Sequence, residues 1–204
     1  YEETEDADAR FRDKIKMKAY PVEQKAGALF AYLGPQPAPL VPNWDVYAAD
    51  GVLREIGYAE LPCNWLQCQE NSLDPVHLEW LHNYWSNYQR EAAGDLASTA
   101  RPAFGHEKIG FDVFDHGIIK RRVTGDGSEQ DNDWTVGHPA LFPNILYVGD
   151  MVKCNFQYRV PIDDTHTNHI TWFFYKTAPG VTPPKQDKIP YWYVQLFDDD
   201  GRLI

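Results

Sequence analysis

The chain has 204 residues, 43% of them hydrophobic and 14% aromatic, enough to bury one sizeable core. Its formal net charge of −11 argues against a nucleic-acid partner, whose backbone calls for basic patches. No apolar run approaches the roughly 18 residues that cross a bilayer, and the acidic start Tyr1-Glu2-Glu3-Thr4-Glu5-Asp6 is unlike a signal peptide, so a soluble, cytoplasmic protein without a membrane partner is expected.

Residues 1–13 are acidic and read as a linker-like lead-in, and residues 14–204 as one domain. Lys14 to Tyr20 and Ala28 to Leu33 read as two strands about a turn at Gln24-Lys25-Ala26-Gly27, where Gly27 can take positive φ. Gly34-Pro35-Gln36-Pro37-Ala38-Pro39 breaks regular structure. A strand follows near Val52 to Leu61.

Asp74-Pro75 is a strong helix start, because proline suits the first helical position and an aspartate before it can cap free amides. The helix is predicted to run towards Arg90, with Gly94 ending it. Asp95 to Gly117 carries no clear pattern.

Beyond it, Ile118 to Val123 and Ile145 to Val148 read as strands. Val152 to Val160 alternates apolar with polar residues, so one face is buried and the other is wet or lines a cavity. Asp163 to Asn168 supplies a turn into His169 to Lys176, which is apolar on both sides like a central strand, and Tyr191 to Phe197 is a further strand. Strands, one principal helix, then more strands predict an α+β domain with a long helix packed on a curved antiparallel sheet.

Cys63, Cys68 and Cys154 are an odd set without a Cys-x-x-Cys or Cys-x-His spacing. They are expected to be buried free thiols in a reducing compartment, holding neither a zinc ribbon nor an iron–sulfur cluster.

The chemistry concentrates in Asp74, His77 and His82. Two neutral imidazoles and a carboxylate form the facial site of non-haem Fe(II) oxygenases, which leaves coordination positions open. Spacing alone also fits a capping aspartate followed by two ordinary helix histidines. Positions five apart lie roughly 140° apart around a straight α-helix. His77 and His82 can therefore share a metal only if the helix ends, bends or widens between them. Asp74 and His77 are one turn apart, and a carboxylate there can fix the imidazole tautomer.

The pattern Asn64-Trp65-x-Gln67-x-x-Glu70-Asn71-x-x-Asp74-Pro75-x-His77-x-x-x-x-His82 resembles the catalytic-domain signature of Rieske-type aromatic-ring oxygenase α subunits, above all the phthalate dioxygenase and aromatic O-demethylase branch. The similarity extends over nearly the whole chain. Its further stretches include Ala19-Tyr20-Pro21-Val22, Leu29 to Pro35, His138 to Asn144 and Phe156 to Thr167. The resemblance implies a helix-grip fold of the plant-allergen and steroid-transfer type, with a substrate cavity between sheet and helix. It also implies that His77 and His82 ligate a mononuclear Fe(II). Asp74 would then be the bridging carboxylate that hydrogen-bonds His77 and receives electrons from a 2Fe-2S Rieske cluster on the adjacent subunit of a trimer-based homo-oligomer, with Asn71 standing just behind the ligands.

Two departures accompany it. The Rieske half is absent, and the family's third ligand, an aspartate, would fall beyond Ile204, so a catalytic domain incomplete at its C-terminus and inactive by itself is expected. Asp198, Asp199 and Asp200 read as a solvated turn rather than as substitutes. His166 and His169 flank a hairpin and could bind metal adventitiously, but turn polarity explains them better, while His106, His116 and His138 have no recognisable partner in sequence. Arg121 and Arg122 face opposite sides of a strand, so at most one could meet an acidic substrate.

The function implied is an O2-activating, NADH-driven oxygenase, served by a reductase, that hydroxylates or O-demethylates an aromatic compound such as an aromatic acid. Two rivals differ in class. One is a metal-free small-molecule binding module of helix-grip fold, in which Asp74 is only a cap. The other is a zinc hydrolase, disfavoured because Glu79 does not stand at the zincin spacing.

Overall fold

The structure, a computed structural model, describes Thr4, Asp6, Asp8 and residues 10–95, 105–149 and 153–203. The chain divides into two compact units, Tyr1–Ala48 and Ala49–Ile204.

The first unit holds the short helices α1 (Phe11–Lys14) and α2 (Asp45–Ala48) and a hairpin of β1 (Val22–Lys25) and β2 (Ala28–Ala31). Ala26 and Gly27 take φ of 46° and 85°. Left-handed φ at both central residues is the two-residue turn whose twist matches paired strands. That turn fixes Lys25 opposite Ala28 and Val22 opposite Ala31. The first strand therefore lies just before the turn rather than at Lys14 to Tyr20, a stretch that is exposed from Asp13 onwards.

The second unit is built on an eight-stranded sheet of β3 (Val52–Leu61), β4 (His106–Phe114), β5 (Gly117–Thr124), β6 (His138–Leu141), β7 (Ile145–Gly149), β8 (Lys153–Pro161), β9 (Thr167–Lys176) and β10 (Tyr191–Tyr193). Their order across the sheet is β10-β3-β9-β8-β7-β6-β5-β4. All neighbours are antiparallel except β10, which joins β3 in parallel, so the curved sheet is mixed rather than wholly antiparallel. The expected strand from Val152 begins at Lys153, Val152 lying outside the described residues, and the expected final strand closes at Tyr193 instead of Phe197.

One sheet face is apolar. Cys154, Phe156 and Tyr158 of β8 stand opposite Phe174, Trp172 and Ile170 of β9. Phe156, Trp172 and Phe174 are each at most 3% exposed. The other face carries Asn155, Gln157 and Arg159 opposite Phe173, Thr171 and His169. Arg159 is only 4% exposed, so this polar face is covered rather than wet.

The cover includes α3 (Trp65–Leu73), a helix that hydrophobic periodicity does not announce because its buried residues are Gln69 and Ser72. Asn64 caps it, its Oδ1 accepting from the Leu66 amide at 2.9 Å. Gln69 donates to the Ile145 carbonyl at 2.9 Å, and Lys120 of β5 donates to the Ser72 carbonyl at 2.6 Å. The expected single helix from Pro75 is three pieces: α4 (Val76–Glu79), a π-helical segment (Trp80–Trp85) and α5 (Ser86–Ala92). Gly94 takes a φ of 78°, and the next amide, Asp95, bonds back to the Arg90 carbonyl at 2.9 Å. Later in the chain, Asn132–Thr135 forms α6.

Candidate metal centre

The site is assembled where α3 gives way to α4. Asp74 ends α3 in an extended conformation, its amide bonded to the Glu70 and Asn71 carbonyls. Its carboxylate then opens the next helix, Oδ1 accepting from the Val76 amide at 2.8 Å and Oδ2 from the His77 amide at 3.2 Å. These are the free amides a helix start leaves unpaired. One residue thus closes one helix and caps the next.

His77 bonds Asp74 through the main chain. Its Nδ1 lies 2.7 Å from the Asp74 carbonyl oxygen and 3.8 Å from the carboxylate Oδ2. A carbonyl can only accept, so the proton sits on Nδ1 and the Nε2 lone pair is left open, the tautomer a metal requires. Burial depresses the His77 pKa, the bond to Asp74 opposes that shift, and the neighbouring His82 ring adds to it. A neutral ring is the ligating form.

His82 reaches the same place because the helix widens. The π segment begins at Trp80, between the histidines, and its i→i+5 bonding brings residues five apart towards one side. The ring centroids of His77 and His82 are 5.2 Å apart with planes at 72°. The straight-helix offset is thereby removed. The two imidazoles are thus the pair of side chains that could supply nitrogen donors to one ion. Among the described residues no group of three or more His, Cys, Asp or Glu side chains is placed to hold a metal.

Asn71 is exposed and enters this arrangement through its main-chain carbonyl. Asp198 accepts from the Asp200 and Arg202 amides in an exposed turn. Arg121 pairs with Asp112, and Arg122 with Asp133 at 2.9 Å, so both guanidinium groups are engaged within the protein.

Several groups escaped sequence reasoning. Lys120 is 5% exposed, and burial together with the charge of Arg122 lowers its pKa to about 8 despite the opposing pull of Asp74. Its position in a strand gave no sign that it would reach the end of α3. His106 and His138 do have partners, Glu79 at 2.9 Å and Asp133 at 3.1 Å. His166 behaves as a turn residue against Asp163, but His169 lies inside β9, 3.2 Å from Gln157, and burial lowers its pKa to about 4. Cys63 and Cys68, expected as buried free thiols, are free but only half-buried, being close to the chain surface at the start of α3, and their sulfurs are 3.3 Å apart.

The chain is similar to several known proteins. Over all 204 residues the chain is 39% identical to the 5,5'-dehydrodivanillate O-demethylase oxygenase subunit of Sphingobium sp. (strain NBRC 103272 / SYK-6), covering 46% of that protein. Over 181 residues it is 29% identical to the phthalate 4,5-dioxygenase oxygenase subunit of Pseudomonas putida, an alignment of 80% of this chain and 39% of that one. The chain therefore spans less than half the length of these curated relatives. Among solved structures, the terminal oxygenase of carbazole 1,9a-dioxygenase from Nocardioides aromaticivorans IC177 matches with a TM-score of 0.52 at 16% identity, over 82% of this chain and 51% of that one. The corresponding oxygenase from Novosphingobium sp. KA1 gives 0.51 at 17% identity, over 82% and 50%. These two bear on the fold. No family model matches the chain.

Proposed function

We propose that this chain, a relative of the oxygenase subunits of Rieske-type aromatic-ring oxygenases, is the catalytic portion of an oxygenase that hydroxylates or O-demethylates an aromatic compound. The observation that carries the reading is the convergence of His77 and His82 across the π segment, in a chain related to such subunits along its whole length. His77 and His82 hold a mononuclear Fe(II), with a third oxygen donor from elsewhere in the whole protein. When bound there, the metal supplies the dioxygen chemistry that amino-acid side chains cannot.

This chain's own residues position the ligands. The Asp74 carbonyl holds the proton of His77 on Nδ1. The Asp74 carboxylate fixes the first turn of α4. In the whole protein that carboxylate would link the two histidines to a 2Fe-2S cluster held by the adjacent subunit of a trimer-based assembly, and an NADH-dependent reductase would supply the reducing equivalents. The domain keeps the helix-grip arrangement, its substrate lying between the polar sheet face and the helices. An aromatic acid is supported by Arg159, whose buried Nε and Nη1 have no hydrogen-bond partner among the described residues.

The test uses the full-length protein. Iron content and NADH-dependent oxygen uptake with an aromatic acid are measured for the parent and for His77→Ala. The substitution is expected to abolish both. Full iron in the variant would refute the ligand assignment, and ligand binding by an iron-free parent would favour a metal-free binding module.

A further inference from the structure

Two cysteines lie together at the start of α3. Cys63 lies between β3 and α3, and Cys68 is in the first turns of α3, five residues on. Their sulfurs are 3.3 Å apart. A disulfide needs about 2.05 Å, so closure asks for a movement of about 1.3 Å. Cys154, the remaining cysteine, is buried under the apolar sheet face.

Access and electrostatics differ between the two. Cys63 lines an open groove of about 510 Å³ with Pro62, Leu66, Gln67 and Asp164. Neither His77 nor His82 lines it. Cys68 has its thiol pushed up to about 11, chiefly by burial, and the Arg159 guanidinium acts in the opposite direction. Arg159 is 4% exposed, and its Nε and Nη1 have no hydrogen-bond partner among the described residues. The main chain of Cys63 is tied down, its carbonyl accepting from the fully buried Thr167 hydroxyl at 2.9 Å. Both thiols are half-buried, but only the sulfur on the held backbone of Cys63 belongs to a residue lining the groove, while Cys68 feels the charge of Arg159; these are the parts of an attacking and resolving thiol pair.

We propose that Cys63 and Cys68 are a peroxide-sensitive dithiol that closes reversibly to an intramolecular disulfide. The Cys63 thiolate attacks one oxygen of hydrogen peroxide and breaks the O–O bond, giving the sulfenic acid and hydroxide. The Cys68 sulfur, its proton released to that hydroxide, attacks Cys63 Sγ, forms the S–S bond and expels the sulfenic oxygen as hydroxide, which is protonated to water. Two thiols are oxidised, one peroxide is reduced and two waters leave. Thiol–disulfide exchange with a small dithiol reverses it. Asn64, which caps α3 and donates to the Asp164 carbonyl at 2.9 Å, lies in the loop that closure tightens. The oxidised state is thus transmitted to the start of the helix whose other end is Asp74.

The experiment is differential alkylation of the full-length protein before and after hydrogen peroxide, followed by tryptic mass analysis. Cys63 and Cys68 share the single tryptic peptide Glu55–Arg90, with no lysine or arginine between. Peroxide should convert most of that peptide to a form lighter by two hydrogens that resists alkylation until dithiothreitol is added, while Cys154 still alkylates. In Cys68→Ser the lighter form should vanish and a dimedone-reactive sulfenic acid persist on Cys63. Continued alkylation of both thiols, direct conversion to sulfinic acid, or cross-links only between chains would overturn the proposal.

Discussion

His77 donates its Nδ1 proton to the Asp74 main-chain carbonyl at 2.7 Å, while the Asp74 carboxylate stays 3.8 Å away and caps the helix. The ring is thus oriented by a group that side-chain substitution cannot remove. Asp74→Asn should therefore lower affinity for Co(II), used as a spectroscopic stand-in for Fe(II), by less than the roughly 10- to 100-fold typical of losing an orienting partner. His77→Ala and His82→Ala should each abolish the cobalt spectrum. A loss as complete in Asp74→Asn would mean that the carboxylate itself holds the ring.

His169 gives the domain an acid-sensitive stability. Burial and then Arg159 lower its pKa from 6.5 to about 4, so the folded state resists a proton that the unfolded chain accepts. Stability is complete above about 6.5 and falls as pH drops towards 4. At pH 5 the loss is about 2 kcal/mol relative to pH 7. His169→Gln should flatten this part of the urea-midpoint profile. An unchanged slope between pH 7 and 5 would place the titrating group elsewhere.

Lys120 anchors the end of α3. Lys120→Met leaves the Ser72 carbonyl without its donor and should cost about 1–3 kcal/mol at pH 7 by chemical denaturation. The parent's pKa of about 8 lies below the usual 10.5, so between those values the native state releases a proton that the unfolded chain keeps. Parent stability should rise relative to the variant across that window. A variant as stable as the parent at neutral pH would show that the ammonium's desolvation outweighs its bond.

The edge strand β10 depends on an absent side chain. A Cβ at Gly57 would come within 3.1 Å of the Trp192 ring, which stacks on Phe173 at 5.6 Å and 16°. Gly57→Val should displace Trp192 and free the Val194 amide, now bonded to the Tyr58 carbonyl at 2.8 Å. Hydrogen exchange at Val194 should quicken at least about tenfold, as expected of local opening. Unchanged exchange would mean that the ring finds another seat.

Sequence reading worked where periodicity or a special residue carried the signal. Val52 to Leu61 matches β3 in full, and Asp74-Pro75 marks the junction of two helices. It failed where polar groups do the packing: α3 hides because Gln69 and Ser72 are its buried residues. Asp95 to Gly117 had no pattern because β4 is largely exposed, and residues 96–104 lie outside the described set. The spacing of His77 and His82 stated the condition for their meeting, but only the backbone could supply it, since a widened turn has no composition signal. Lys120 and the Cys63–Cys68 contact needed tertiary structure, because each joins residues from separate elements or across a loop.

Hydrogen-bond register inside one short helical stretch decides whether two rings are neighbours. If the segment from Trp80 to Trp85 rewound to ordinary α pitch, His82 would swing around the axis and away from His77 with no covalent change. The pairing of the imidazoles is a conformational property of the backbone, so solvents that favour regular helices should disperse it before they unfold the sheet.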